Sequence, residues 1–188
     1  MRIVAGEWRG RVLTPVGKGD AGAHLRPTTD RVREALFNML AGGRFGDPFD
    51  GTRVLDLFAG TGALGLEALS RGAAHVTFVE NGRVGARLIR ENMKLLGTGP
   101  RATLIGADAT RLPDGQPCDL VFLDPPYGKG LGDKALMAAR AKGWVAPGAL
   151  IVWEENAEQA APDGFALLET RRYGDTTVTL LEHRVGRG

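Results

Sequence analysis

Three glycines and two carboxylates carry the clearest chemistry in the sequence. In Val54-Leu55-Asp56-Leu57-Phe58-Ala59-Gly60-Thr61-Gly62-Ala63-Leu64-Gly65, residues Gly60, Gly62 and Gly65 form a G-x-G-x-x-G turn between an apolar run and a helical one. Lacking Cβ atoms, such a turn lets backbone amides close on a ligand at a helix N-terminus. Glu80 ends the next apolar run, where a carboxylate can accept from the two ribose hydroxyls of a nucleoside. Together they predict an adenosine-containing cofactor. Asp56 narrows the choice. In dinucleotide folds the first glycine follows almost directly on the strand, and an acid there would repel a pyrophosphate. The same acid suits the methionine ammonium of S-adenosylmethionine. Phe58, between Asp56 and the glycines, belongs to the same candidate site.

A second signal, Asp124-Pro125-Pro126-Tyr127, follows another apolar run. Consecutive prolines hold the backbone extended and remove amide donors, which leaves carbonyls to accept. The Asp124 side chain and the Pro125 carbonyl could then accept both hydrogens of one amino group. Tyr127 offers a face on which a base could stack, worth about 1–3 kcal/mol. Asp108, with Ala109 beside it, follows a further strand through Gly106-Ala107 and could accept from the cofactor's adenine amine; a simple Asp turn is the competing reading.

The elements that would position these residues alternate. From residue 53 onward the pattern predicts strands at 54–58, 75–80, 102–105, 120–123 and 149–154. Helices are predicted at 63–70, 83–96 and 134–142, with a closing hairpin of 165–171 and 176–181. Strands separated by helices imply right-handed crossovers and a mostly parallel sheet covered on both faces. Ahead of this α/β core, runs 2–5 and 8–13 predict a β-hairpin turning at Gly6-Glu7. Residues 16–23 then read as a mobile loop. Val32, Ala35, Leu36, Met39 and Leu40 mark one face of a helix capped at Thr29-Asp30. The expected organisation is one domain over 1–188, with 1–46 as an RNA-contacting extension and 47–188 as the catalytic core.

Composition sets the boundaries. The 188 residues are 43% hydrophobic, enough for one sizeable core. Cys118 is the single cysteine and the three histidines are scattered, so neither a disulfide nor a metal site is expected. No run resembles a signal peptide or a membrane span, which predicts a cytoplasmic protein. Net charge is only +2, yet seven Lys/Arg against three acids fall within residues 1–33. That local excess is compatible with phosphate contacts, Arg2, Arg9, Arg11 and Arg26 being the candidates. A solvated surface would look the same by charge alone.

Over nearly its whole length the sequence resembles the bacterial 16S ribosomal RNA guanine-N2 methyltransferases, a family of small single-domain enzymes. The carriers are Arg2-Ile3-Val4-Ala5-Gly6-Glu7-Trp8-Arg9-Gly10-Arg11 and Leu25-Arg26-Pro27-Thr28-Thr29-Asp30-Arg31-Val32-Arg33-Glu34-Ala35-Leu36-Phe37-Asn38, then 55–72, 124–127 and Gly143-Trp144. The Arg-Pro-Thr-Thr-Asp-Arg-Val-Arg-Glu block is the most specific, since generic methyltransferases lack it. The resemblance implies the seven-stranded Rossmann-like class I methyltransferase fold, with that block across the cofactor's methionine end. Thr28 and Thr29 are the candidates there, and helix capping is the alternative use. It also implies 16S rRNA or the small ribosomal subunit as partner, an unstacked guanine as target, a monomer, and no metal. A DNA adenine-N6 methyltransferase would use the same Asp-Pro-Pro-Tyr logic but normally adds a target-recognition domain. An NAD-dependent oxidoreductase would have no use for the proline motif. A non-catalytic RNA-binding module would show degenerate cofactor glycines.

Overall fold

A computed structural model of the chain describes residues 1–17, 25 and 28–186. Most of the expected 16–23 loop, and Arg26, lie outside the described residues. The elements run α1 (Asp30–Leu40), β1 (Arg53–Leu57), α2 (Ala63–Ser70), β2 (His75–Val79), α3 (Arg83–Leu96), β3 (Ala102–Ile105), β4 (Cys118–Leu123), α4 (Leu131–Ala141), β5 (Val145–Glu155), β6 (Phe165–Tyr173) and β7 (Thr176–His183). Seven strands form one sheet in the order β3-β2-β1-β4-β5-β7-β6. The first five pair in parallel, while β7 runs antiparallel to both β5 and β6.

Side chains alternate across this sheet with the period of two that a pleated strand imposes. Val54, Val76, Phe78, Leu120, Phe122 and Val152 pack with α1, α2 and α3 on one face. Leu55, Leu57, Val79, Val121, Leu123 and Ile151 pack with α4 on the other. Burial on both faces explains why the central strands read as unbroken apolar runs.

Element bounds shift by up to four residues, β5 starting at Val145 and not at 149; two further differences have a clear physical cause. Helix α4 begins at Leu131, three residues before 134, because Gly130 takes the left-handed conformation at the N-cap and starts it there (φ 66°). The opening segment is not a tight hairpin turning at Gly6-Glu7. Arg2 and Val12 form a single antiparallel bridge, supported by Ile3 N–H to the Arg11 carbonyl at 2.9 Å and Leu13 N–H to the Met1 carbonyl at 2.9 Å. Between them the chain turns away to dock on α2. Val4 and Ala5 N–H donate to Glu67, and Glu7 N–H donates to the Ser70 carbonyl. Burial of Ile3, Trp8 and Leu13 favours docking over a free two-stranded ribbon, which is marginal in water.

Candidate active site

The sheet order reverses between β1 and β4, the point at which open α/β sheets form a ligand crevice outside the carboxyl ends of their strands. Both sequence motifs end at this point. Register pairing sets Leu57 beside Leu123, so the Phe58–Gly62 turn and the Asp124–Tyr127 turn leave the sheet as neighbours.

Phe58 has φ of 56°, the one positive value among described non-glycine residues, at a cost of order 1–3 kcal/mol. That strain turns the chain sharply out of β1. Glu80 then ties the loop down, its Oε2 accepting from Gly60 N–H at 2.7 Å and its Oε1 from Gly82 N–H at 2.9 Å. Gly65 serves packing: a Cβ there would lie 2.6 Å from the Phe78 ring and 3.0 Å from Asp56 Oδ2. Asp56 is deeply buried, and its Oδ2 accepts from Gly65 N–H at 3.0 Å. Burial, then Glu80 and Glu154, hold its carboxyl well above the usual range, against the Gly65 bond. Asp56 therefore locks α2 against β1. Beside the loop lies a cavity of about 40 Å³ lined by residues that include Leu25, Thr28, Gly60 and Thr61.

On the β4 side, Pro125 is buried and Tyr127 half-buried. Glu155 accepts from Gly128 N–H at 2.9 Å, which anchors the turn after Tyr127. Burial pushes the pKa of the Tyr127 hydroxyl up, although a hydrogen bond with Thr176 works the other way. Asp124 is half-buried, and its carboxyl, desolvated where it faces the protein and flanked by the charges of Glu154, Asp56 and Glu155, is raised well above its ordinary value. Glu154, from β5, is 1% exposed and accepts from Thr28 Oγ1 at 3.2 Å. Its pKa is pushed up to about 7, mainly by burial. Asp56, Glu80, Asp124, Glu154 and Glu155 thus converge, and no Lys or Arg pairs with any of them among the described residues. A cationic ligand would relieve that repulsion.

The other expected residues divide. Thr28 reaches the crevice through Glu154, whereas Thr29 caps α1, its Oγ1 accepting from Val32 N–H at 3.2 Å. Ala109 is buried. Asp108 lies just past β3, with Oδ1 accepting from Thr110 N–H and Oγ1 at 2.8 Å each; those bonds lower its pKa. Arg2 and Arg9 are exposed, and Arg11 is exposed but donates to the Leu95 carbonyl at 2.9 Å. Sequence reasoning missed Glu154, Glu155 and Asn92. Asn92 is fully buried; it donates to the Thr61 carbonyl at 3.1 Å and accepts from Thr14 N–H at 2.8 Å, linking the glycine turn to the N-terminal segment. Charged or amide side chains within apolar periodicity were the available signal, at the end of β5 and in mid-α3.

The family model described as "Conserved hypothetical protein 95" matches residues 1–182. Ribosomal RNA small subunit methyltransferase D of Escherichia coli strain K12 is 42% identical over 164 residues, 86% of this chain and 78% of the relative. The chain belongs to this family. The solved structure of yhhF from Escherichia coli superposes with a TM-score of 0.83 at 38% identity, covering 99% of each chain. More distantly, an RNA methyltransferase from Salinibacter ruber in complex with S-adenosyl-L-homocysteine shares the fold, with a TM-score of 0.66, 18% identity, and 87% and 97% of the two chains covered. The fold is that of class I S-adenosylmethionine-dependent methyltransferases. The family match begins at residue 1, so the segment docked on α2 lies within the shared region.

Proposed function

We propose that this protein transfers a methyl group from S-adenosylmethionine to the exocyclic N2 amine of a guanine in 16S rRNA. The observation that carries the proposal is the meeting of the Glu80-anchored glycine turn and the Asp124–Tyr127 turn in one crevice, surrounded by carboxylates without a basic partner among the described residues. The names of its relatives support ribosomal RNA as the substrate.

S-adenosylmethionine supplies an electrophilic methyl group and a cationic charge that suits this acidic crevice. Glu80 would hold its ribose hydroxyls, Asp56 would face its ammonium, and Phe58, Gly60 and Gly62 would form the floor under it. Thr28 and Thr29 would bound the methionine end, with Asp108 and Ala109 at the adenine. Asp124 and the Pro125 carbonyl would accept the two N–H groups of the target amine and turn its lone pair toward the methyl. That contribution is positioning plus electrostatics. Tyr127 would stack on the unstacked base. Removing a base from its stack costs a few kcal/mol, least in a loop. Arg2, Arg9, Arg11 and Arg26 would contact RNA phosphates. The active form is a cytoplasmic monomer that uses no metal, with residues 1–46 extending the RNA surface of the 47–188 core. No described helix is long and apolar enough to cross a membrane, and no metal-binding cluster lies among the described residues.

Single-turnover methyl transfer to a small-subunit substrate tests the assignment. Asp124→Ala should slow the reaction about a hundredfold or more with cofactor binding retained. Tyr127→Ala should chiefly weaken capture of the base, and Tyr127→Phe should be mild. A near-normal Asp124→Ala rate would refute these roles, as would methylated product at adenine instead of guanine N2.

A further inference from the structure

Methylating an amine leaves a proton to be placed. When the N–CH3 bond forms, the C–S bond breaks and its electron pair stays on sulfur as a neutral thioether. The nitrogen, which now carries four bonds, must lose one hydrogen as a proton. No described Lys, His or Arg side chain contacts Asp124, and the group beside Asp124 is another acid, Glu154.

Glu154 sits one strand away from Asp124, at the end of β5, where it is 1% exposed. Its Oε2 has Thr28 as donor, while its Oε1 is buried with no donor among the described residues. An ionised carboxylate can only accept. Glu154 and Asp124 can therefore hydrogen-bond only when one of them carries a proton, and that bond would satisfy Oε1. Asp56 from β1 and Glu155 from β5 add negative charge from the flanks, Thr28 and the Tyr127 hydroxyl are the neutral groups nearby, and Thr176 lies behind Tyr127.

We infer that Asp124 and Glu154 act as one proton-handling pair, which shares a proton when empty, yields it to solvent as the cationic cofactor binds, and then takes the proton shed by the methylated amine. Asp124 touches the amine; Glu154 is a positioning residue that acts through it. This rests on the function proposed above. Two carboxyls in contact titrate as a unit, and burial raises both members, Glu154 to about 7. Added positive charge nearby favours the ionised form. The proton balance of a turnover is then unusual: release accompanies cofactor binding, and the chemical step is proton-neutral to the solvent.

The experiment is titration calorimetry of S-adenosylmethionine, and separately S-adenosylhomocysteine, in two buffers of different ionisation enthalpy. Measurements at pH 6.5 and 9 should show release of about 0.5–1 proton with S-adenosylmethionine at the lower pH and almost none at the higher. The homocysteine product lacks the sulfonium charge and should release less. Glu154→Gln, with Asp124→Asn as a second and independent variant, should bind the cofactor and release clearly fewer protons than the wild type. A protein that merely used Glu154 as packing would show the same proton count in wild type and variant. Cofactor binding by the wild type without proton release overturns the pair and leaves the proposed function standing. No binding of either compound overturns the function and the pair with it.

Discussion

Removing the Glu67 carboxylate should detach the N-terminal segment from the core. Glu67 and Arg33 are both fully buried. Glu67 accepts from Val4 N–H at 2.8 Å, Ala5 N–H at 3.2 Å and Arg71 Nε at 3.3 Å, with Arg33 Nε at 3.7 Å. Arg33 in turn donates to the Arg2 carbonyl and to Asp30 at 3.0 Å, and its Nη1 has no hydrogen-bond partner among the described residues. Glu67→Ala would therefore leave two peptide donors and the Arg71 Nε without their acceptor, and would remove one of the two carboxylates beside the buried Arg33 guanidinium. Breaking a buried pair from one side typically costs about 3–5 kcal/mol. The segment can relieve part of this by peeling off, at the expense of burying Ile3, Trp8 and Leu13. A loss of about 3–4 kcal/mol is expected, a large share of the roughly 5–15 kcal/mol that a domain has. Urea unfolding measures the loss, and amide exchange at residues 3–13 locates it. A matched apolar pair, Arg33→Met with Glu67→Leu, should recover much of the loss, because neither charge is then left alone. A fall below about 1 kcal/mol in Glu67→Ala, with exchange at 3–13 unchanged, would refute the claim that this network holds the segment.

Three further outcomes follow from the same geometry. The ligand-free protein should lose stability as pH rises from about 4.5 to 7, since Glu154 is more basic folded than unfolded and the folded state holds the extra proton; thermal melts of Glu154→Gln should be flatter over that window, and parallel curves would count against it. Glu80→Ala should weaken cofactor binding by about 1–3 kcal/mol by calorimetry. Because Glu80 also bonds Gly60 and Gly82, the same variant should melt earlier, whereas unchanged affinity would remove it from the ribose site. Neutralising Arg2 and Arg9 should flatten the salt dependence of binding to a small-subunit rRNA fragment and leave cofactor affinity alone; an equal salt slope in wild type and variant would make both arginines plain surface.

Much of this protein is legible in its sequence because the governing physics is local. Apolar runs buried on both faces, glycines where the turn leaves β1, and Thr29 capping α1 all act within a few residues, and the seven strands follow from them. The two chemical turns were likewise visible as strings, since each follows its own strand. What the string could not contain is adjacency between strands far apart in the chain. Glu154 reads as one more residue at the end of a buried run, and only the β4–β5 pairing sets it against Asp124 and Thr28. Arg33 and Glu67 read as ordinary helix polar positions, and only the packing of α1 and the opening segment on α2 buries them together. The hairpin expected at residues 2–13 forms only in part for the same reason: its ends pair through Arg2 and Val12, while between them docking on α2 takes the Val4, Ala5 and Glu7 donors. Burial and charge–charge contact depend on distance in space, so they are decided when the sheet closes and not before.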